Sequence, residues 1–152
     1  MATAVESQTP SYRFDDRNIR WRELGDFKHF VVFIFSVDEA KNIADFIIKF
    51  EPNKQIFLHR HLALTNTFVV EGEHIIYEPN GVVRETRPVG RYTSSPAGDA
   101  HCEGGGANGC VLHSSVHGET DAVFEVLDED FKVLATLRTA DFKAALEAQR
   151  PA

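Results

Sequence analysis

The chain has 152 residues, of which 43% are hydrophobic and 26% charged, with a net charge of −7; this is a globular balance and enough length for one domain with a single core. Sixteen Lys and Arg against twenty-three Asp and Glu, with no basic stripe, argue against nucleic acid as a partner, and the longest apolar run, Phe30 to Phe35, is far too short to span a bilayer. Met1 to Pro10 has neither a basic nor an apolar signal region, and two cysteines make no disulfide framework, so a cytoplasmic chain with reduced thiols is the expectation.

In chain order, Met1 to Ser11 is polar with small residues and reads as a mobile tail before a domain over residues 12–150. Asn18 to Leu24 alternates polar and apolar, a half-buried strand with Ile19 and Trp21 on one face. His29 to Val37 is a continuous β-branched and aromatic run that suits a strand buried on both faces. Asp38 to Phe50 fits either a helix or, as its strand neighbours favour, a short turn and a strand from Ile43. Gln55 to Leu62, Thr67 to Glu71 closed by Gly72, and His74 to Glu78 read as strands. Pro79-Asn80-Gly81 is a hairpin turn into Val82 to Arg87, and Arg91 to Ser94 is a short strand. Pro96-Ala97-Gly98-Asp99 is a tight turn that presents His101, and Glu103 to Gly109, with four glycines, reads as a loop. Cys110 to Val116, Ala122 to Leu127 and Phe131 to Leu137 are strands, and Thr139 caps a helix running to about Glu147. Many short strands with turns every eight to twelve residues and one terminal helix make an all-β sandwich or barrel.

The stretch with the most chemistry is Phe57-Leu58-His59-Arg60-His61. In a strand, residues two apart share a face, roughly 6.5 Å apart, and imidazole nitrogens reach a metal at about 2.0–2.1 Å. His59 and His61 can therefore tilt toward one ion while Arg60 points away, toward an ion pair or a subunit contact. A third ligand must come from elsewhere, and His101 is the best candidate.

These residues carry a resemblance. Gly90, five residues on, leads into Pro96-Ala97-Gly98-Asp99-Ala100-His101, and His59-Arg60-His61 with Gly72 stands upstream. This resembles the paired motifs of the cupins, which implies a single-domain antiparallel β-barrel or jelly roll with a short C-terminal helix. The family's usual metal-binding Glu falls on Thr65 and the final Asn of the second motif on Gly105. The ligand set is thereby reduced to His59, His61 and His101, as in the three-histidine iron dioxygenases of the superfamily. Among these the chain is similar to the small β-diketone-cleaving (acetylacetone-type) dioxygenases and to 2,4'-dihydroxyacetophenone dioxygenase, and Phe124 to Ala135 resembles their C-terminal hairpin. The resemblance implies Fe(II), with Zn, Cu or Ni also suited to imidazole, O2 as co-substrate, a small dicarbonyl or aromatic ketone substrate, and a homo-dimer or tetramer. It implies oxygenolytic carbon–carbon cleavage to a carboxylic acid and a carbonyl product. Three neutral imidazoles would leave a divalent charge uncompensated and favour an anionic chelator such as an enolate. A zinc-holding sensor cupin, like that of some anti-sigma factors, and a thiol dioxygenase are the alternatives. The latter needs an Arg for the substrate carboxylate, which the sequence does not locate.

Around this core stand residues with a plainer reading beside the sharper one. Glu103 is two beyond His101 and can replace the missing carboxylate, although its place at a Gly-rich loop suggests solvation. Cys102 is either a soft ligand or a small buried hydrophobe. Tyr92 and Tyr77 can hydrogen-bond a substrate oxygen, Thr65 and His113 can line the pocket, and His29 and His74 read as structural or exposed. Phe33, Phe35, Phe46, Phe50, Phe57, Phe68 and Phe124 are expected in the core or pocket wall.

Overall fold

The structure, a computed structural model, describes residues 13–150; the tail expected over residues 1–11 lies outside them. Nine strands and a helix follow in chain order: β1 (Phe30–Asp38), β2 (Ile43–Phe50), β3 (His59–His61), β4 (Leu64–Tyr77), β5 (Val83–Arg87), β6 (Tyr92–Ser95), β7 (Ala100–His117), β8 (Ala122–Leu127), β9 (Val133–Arg138) and α1 (Thr139–Ala148). They form one curled sheet in the order β1-β2-β7-β3-β8-β9, with β4 also on β7, and β5 and β6 on β4. Every pairing between these strands is antiparallel. No helix among the described residues is long and apolar enough to cross a membrane.

The concave face holds the core. Phe30, Val32 and Ile34 of β1, Phe46, Ile48 and Phe50 of β2, Leu112 and Val116 of β7, and Phe142 of α1 pack there together. Alternation explains which side chains go in: β1 buries every second residue at its start and leaves Phe35 45% exposed beyond a bulge at Ile34/Ser36. This strand is therefore buried on one face only, not both. The outer row Phe33, Ile47, His113, Phe68, Tyr92 runs in register across β1, β2, β7, β4 and β6. Phe33, Phe35 and Phe68 thus stand outside the barrel, whereas Phe46, Phe50, Phe57 and Phe124 line or back its interior. Helix α1 closes one end, and buried Gln149 just beyond it bonds both backbone groups of Ile34, Oε1 accepting from N at 2.8 Å and Nε2 donating to O at 2.9 Å.

Several expected elements are corrected. Asn18 to Leu24 forms no strand but a single bridge, Arg22 to Val32. The chain is bent there by the Ile19 N–H to Asp16 carbonyl bond and by Trp21 Nε1 donating to Asp16 Oδ2 at 2.8 Å. Only His59–His61 of the expected Gln55–Leu62 strand is paired as a strand. Thr139 is the first helical residue rather than the cap, and the cap is Arg138, whose N–H donates to Asp141 Oδ2 at 2.7 Å.

The largest correction concerns glycine. The expected loop Glu103 to Gly109 lies inside β7, an eighteen-residue strand. Likewise Gly72 does not end a strand; β4 runs through it with bulges on either side. At Gly72, Gly104 and Gly105 neighbouring backbone leaves no room for a side chain. A Cβ on Gly104 would lie 1.9 Å from the Lys54 carbonyl oxygen, and one on Gly72 would lie 2.1 Å from that of Gly109. Composition alone does not separate close approach from a turn.

Candidate metal centre

Strand register builds the site. Short β3 is sandwiched between β7 and β8, with His59 directly opposite His101 on one side and Val126 on the other. Residues two apart on β3 and on β7 face inward, so His59, His61, His101 and Glu103 converge and all four are buried. Their ligand atoms lie within 4.8 Å of one another. Bonds of about 2.0–2.1 Å to one ion imply ligand–ligand separations of about 3.0–3.4 Å. The observed 2.9 Å from His59 Nε2 to Glu103 Oε2, 3.1 Å from His101 Nε2 to the same oxygen and 3.3 Å from His61 Nε2 to His101 Nε2 lie within that range or just below it.

The hydrogen bonds fix the tautomers. His59 Nδ1 faces the Phe57 carbonyl at 3.0 Å, and His101 Nδ1 faces Asp99 Oδ2 at 2.7 Å; both partners can only accept. Thr65 Oγ1 donates to the Ala63 carbonyl, so it accepts from His61 Nδ1 at 2.9 Å. Each ring can therefore keep a proton on Nδ1 and offer Nε2 to an ion; His59 and His101 Nε2 face the Glu103 carboxylate, and His61 Nε2 faces that of His101. Three imidazole nitrogens packed around one carboxylate are held together either by protons on Nε2 or by a cation among them. This donor set fits a divalent metal ion held by three imidazoles and one carboxylate.

Electrostatics agree. Burial, helped by the neighbouring His59, pushes His61 down to about 3, so it stays neutral. Burial also works against a charged His101, but Glu103 and Asp99 outweigh it and raise its pKa. Burial would raise Glu103, yet hydrogen bonds from His101, His59 and His74 hold it well below the usual carboxylate range. The ion-ready form is the one present near neutral pH for two of the four groups, and a proton shared within the His101–Glu103 pair must leave when metal enters.

The remaining expected residues fall as follows. Thr65 sits behind His61, as described. Glu103, expected at a solvated loop, is inside the cluster because the Gly-rich run continues as strand. Tyr92 is 59% exposed and His113 stacks on Phe35, so both stand on the outer face rather than in the pocket. Cys102 pairs with Tyr77 on the opposite face of β7 from His101 and Glu103, away from the cluster. Arg60 points outward to Glu125 at 3.1 Å. His74, expected to be structural or exposed, is 2% exposed, and its Nε2 is 2.9 Å from Glu103 Oε1 with its ring stacked on Phe50. The period-two spacing His101-x-Glu103 was the signal for Glu103, matching His59-x-His61. Nothing local marked His74.

On one side the cluster borders a cavity of about 70 Å³ lined mainly by apolar residues, among them Phe30, Phe46, Phe57, Phe124 and Phe142. Phe124 stands edge-on to His59 and His61, with interplanar angles of 86° and 84°. On the other side is a polar cleft of about 40 Å³.

No protein-family model and no curated protein matches the chain. Solved structures do match its shape. An acetylacetone dioxygenase from Acinetobacter johnsonii superposes with a TM-score of 0.72 at 13% identity, over 99% of this chain and 100% of that one. The chain has the cupin fold. An RmlC-like cupin protein from Ralstonia eutropha gives 0.70 at 16% identity, over 87% of this chain and 85% of that one. A DMSP lyase from Ruegeria pomeroyi gives 0.55 at 14% identity, over 70% and 60%. At such identities the likeness carries the fold and not the reaction.

Proposed function

We propose that this cupin is a mononuclear non-haem Fe(II) dioxygenase that cleaves a carbon–carbon bond of a small β-diketone or hydroxyketone. The observation that carries the reading is the convergence of His59, His61, His101 and Glu103 beside a small, phenylalanine-lined cavity. The full-length likeness in shape to the acetylacetone dioxygenase supports it. For a β-diketone the balance is simple: one dicarbonyl and one O2 give a carboxylic acid and a 2-oxoaldehyde, with both oxygen atoms in the products.

A bound ferrous ion would supply Lewis acidity and O2 chemistry. The chain's own part is positional. Phe57 O, Thr65 and Asp99 hold the three imidazoles in one tautomer. Glu103 lowers the net charge at the centre from the +2 expected of three histidines to +1, which still attracts an enolate. The aromatic wall keeps water from the reacting carbons and matches an alkyl or aryl body.

The test joins metal analysis of the purified protein to O2 uptake on acetylacetone after ferrous reconstitution, with a His61→Ala variant alongside. Near one iron per chain with substrate-dependent uptake, both lost in the variant, supports the reading; iron without uptake rejects the substrate class. A second reading is favoured by Glu103, since a fourth protein ligand makes the closed set typical of non-catalytic zinc. Zinc with no oxygen chemistry would select that metal-holding role.

A further inference from the structure

Among the described residues, Arg87 is a largely buried cation to which the centre described so far gives no task. It sits on β5 directly opposite His74 of β4. Cross-strand partners share a face, and His74 points into the barrel against Glu103, so Arg87 points inward too. Its side chain is 12% exposed and lines the polar cleft together with Thr67, Ser95, His101 and Glu103. Among the described residues, none of its side-chain nitrogens makes a well-aligned hydrogen bond, and its one ion pair is with Glu85. Nε is fully buried, and its nearest carboxylate, Glu85 Oε2, is 3.2 Å away but misaligned. A guanidinium offers five donors in a planar fork; one ion pair leaves Nη1 and Nη2 unused, and burying unused donors is costly.

The other charges at the cleft are already engaged. Asp99 Oδ2 is held by Arg84 Nη1 and His101 Nδ1, each at 2.7 Å. Glu103 takes three imidazoles. What remains is a set of donors: Arg87 Nη1 and Nη2 and the hydroxyls of Thr67 and Ser95. The cleft of about 40 Å³ suits a small anion, and the guanidinium fork matches a planar carboxylate bidentately. His61, Thr65, Thr67 and Glu103 border both this cleft and the apolar cavity, so a ligand centred on the metal cluster reaches either side.

We propose that Arg87 and its cleft form a carboxylate subsite next to the metal cluster, and that the substrate is a small oxo acid: its dicarbonyl head lies at the cluster, its carboxylate on Arg87 and its alkyl end among the phenylalanines. This rests on the dioxygenase reading for the reaction, but not for the binding.

Acetylacetone and acetylpyruvate differ only in a methyl against a carboxylate and so isolate the subsite. Binding of each is measured by calorimetry on zinc-loaded protein, and turnover by O2 uptake on ferrous protein, for wild type, Arg87→Met and Arg87→Lys. Wild type is expected to bind acetylpyruvate at least tenfold more tightly. Arg87→Met should collapse the ratio of the two affinities by about ten- to a hundredfold, the range of hydrogen bonds to a charged group, and Arg87→Lys should recover part of it. Equal affinities in wild type, no binding of either compound, or an unchanged ratio in Arg87→Met would overturn the subsite. If Arg87→Met does not fold, Arg87→Lys decides: a ratio unchanged from wild type there overturns the subsite, because the oxo acid can also chelate the metal without Arg87. Arg87-dependent binding of acetylpyruvate without O2 uptake keeps the subsite and rejects the reaction. Uptake with acetylacetone and no preference for the acid does the reverse.

Discussion

Glu103 carries a charge that the histidines alone cannot supply, and it is the residue whose replacement tests the centre most directly. Glu103→Gln keeps the shape and removes the charge, and metal affinity by calorimetry should fall by about a hundredfold or more. Thr65→Val removes only the acceptor behind His61 Nδ1, and the fall should be smaller, about ten- to a hundredfold. Equal affinity in wild type and Glu103→Gln would remove the carboxylate from the ligand set. A second residue-level expectation concerns Cys110, which burial pushes up to about 12. Its thiol stays protonated in the folded chain while the unfolded chain ionises near the ordinary thiol value of 9.0. A raised acid contributes stability that is complete below the unfolded value and is lost as pH rises toward the folded one. Melting temperature should therefore decline between pH 9 and about 12, and the decline should be shallower in Cys110→Ala. The same slope in both proteins would count against it.

At the scale of elements, β7 decides the site. Its glycines let it pass under Lys54 and let Gly72 of β4 close on its own Gly109, so Gly104→Ala should force backbone apart. A Cβ 1.9 Å from a carbonyl oxygen is an overpacking defect of about 1–3 kcal/mol or more, visible as a lower urea midpoint. Because Gly104 adjoins Glu103, metal affinity should fall with it; a stable variant with full metal binding would contradict the close-approach reading. Here the limits of sequence are also plainest. His59 and His61 were legible because a strand's period of two puts them on one face, and His101 because a turn motif delivers it. The same period marks Glu103, but a run of glycines reads as a loop when the approaching backbone is unseen. His74 and Arg87 are paired across strands, and no local pattern encodes which residue of β5 faces which of β4. Tyr92 and His113 lie on strands that were found, but on the face that a small shift of register decides.

Across the whole molecule, the cluster joins β3 to β7 and through them β8 and β4. Metal that binds only the folded chain stabilises it by about 2.7 kcal/mol at a hundred times its dissociation constant. For a chain of this size that is about 5–10 °C in melting temperature. Removing metal with a chelator should lower the melting temperature by that amount, and restoring it should reverse the change, with no such response in His61→Ala. A melting temperature indifferent to metal would mean that the four groups do not bind it.

The eighteen residues of β7 also bear on how fast the chain reaches this state. It pairs with β2, β3 and β4, and His59 and His101 are forty-two positions apart in the sequence. Contacts this distant must close long loops before they contribute anything, which places folding in the millisecond-to-second range typical of barrels. The ligands meet only once β3 has docked on a β7 already held by its other neighbours. A metal ion therefore arrives too late to nucleate folding: it should leave the refolding rate unchanged and slow unfolding, lengthening the life of the native state rather than hastening its birth.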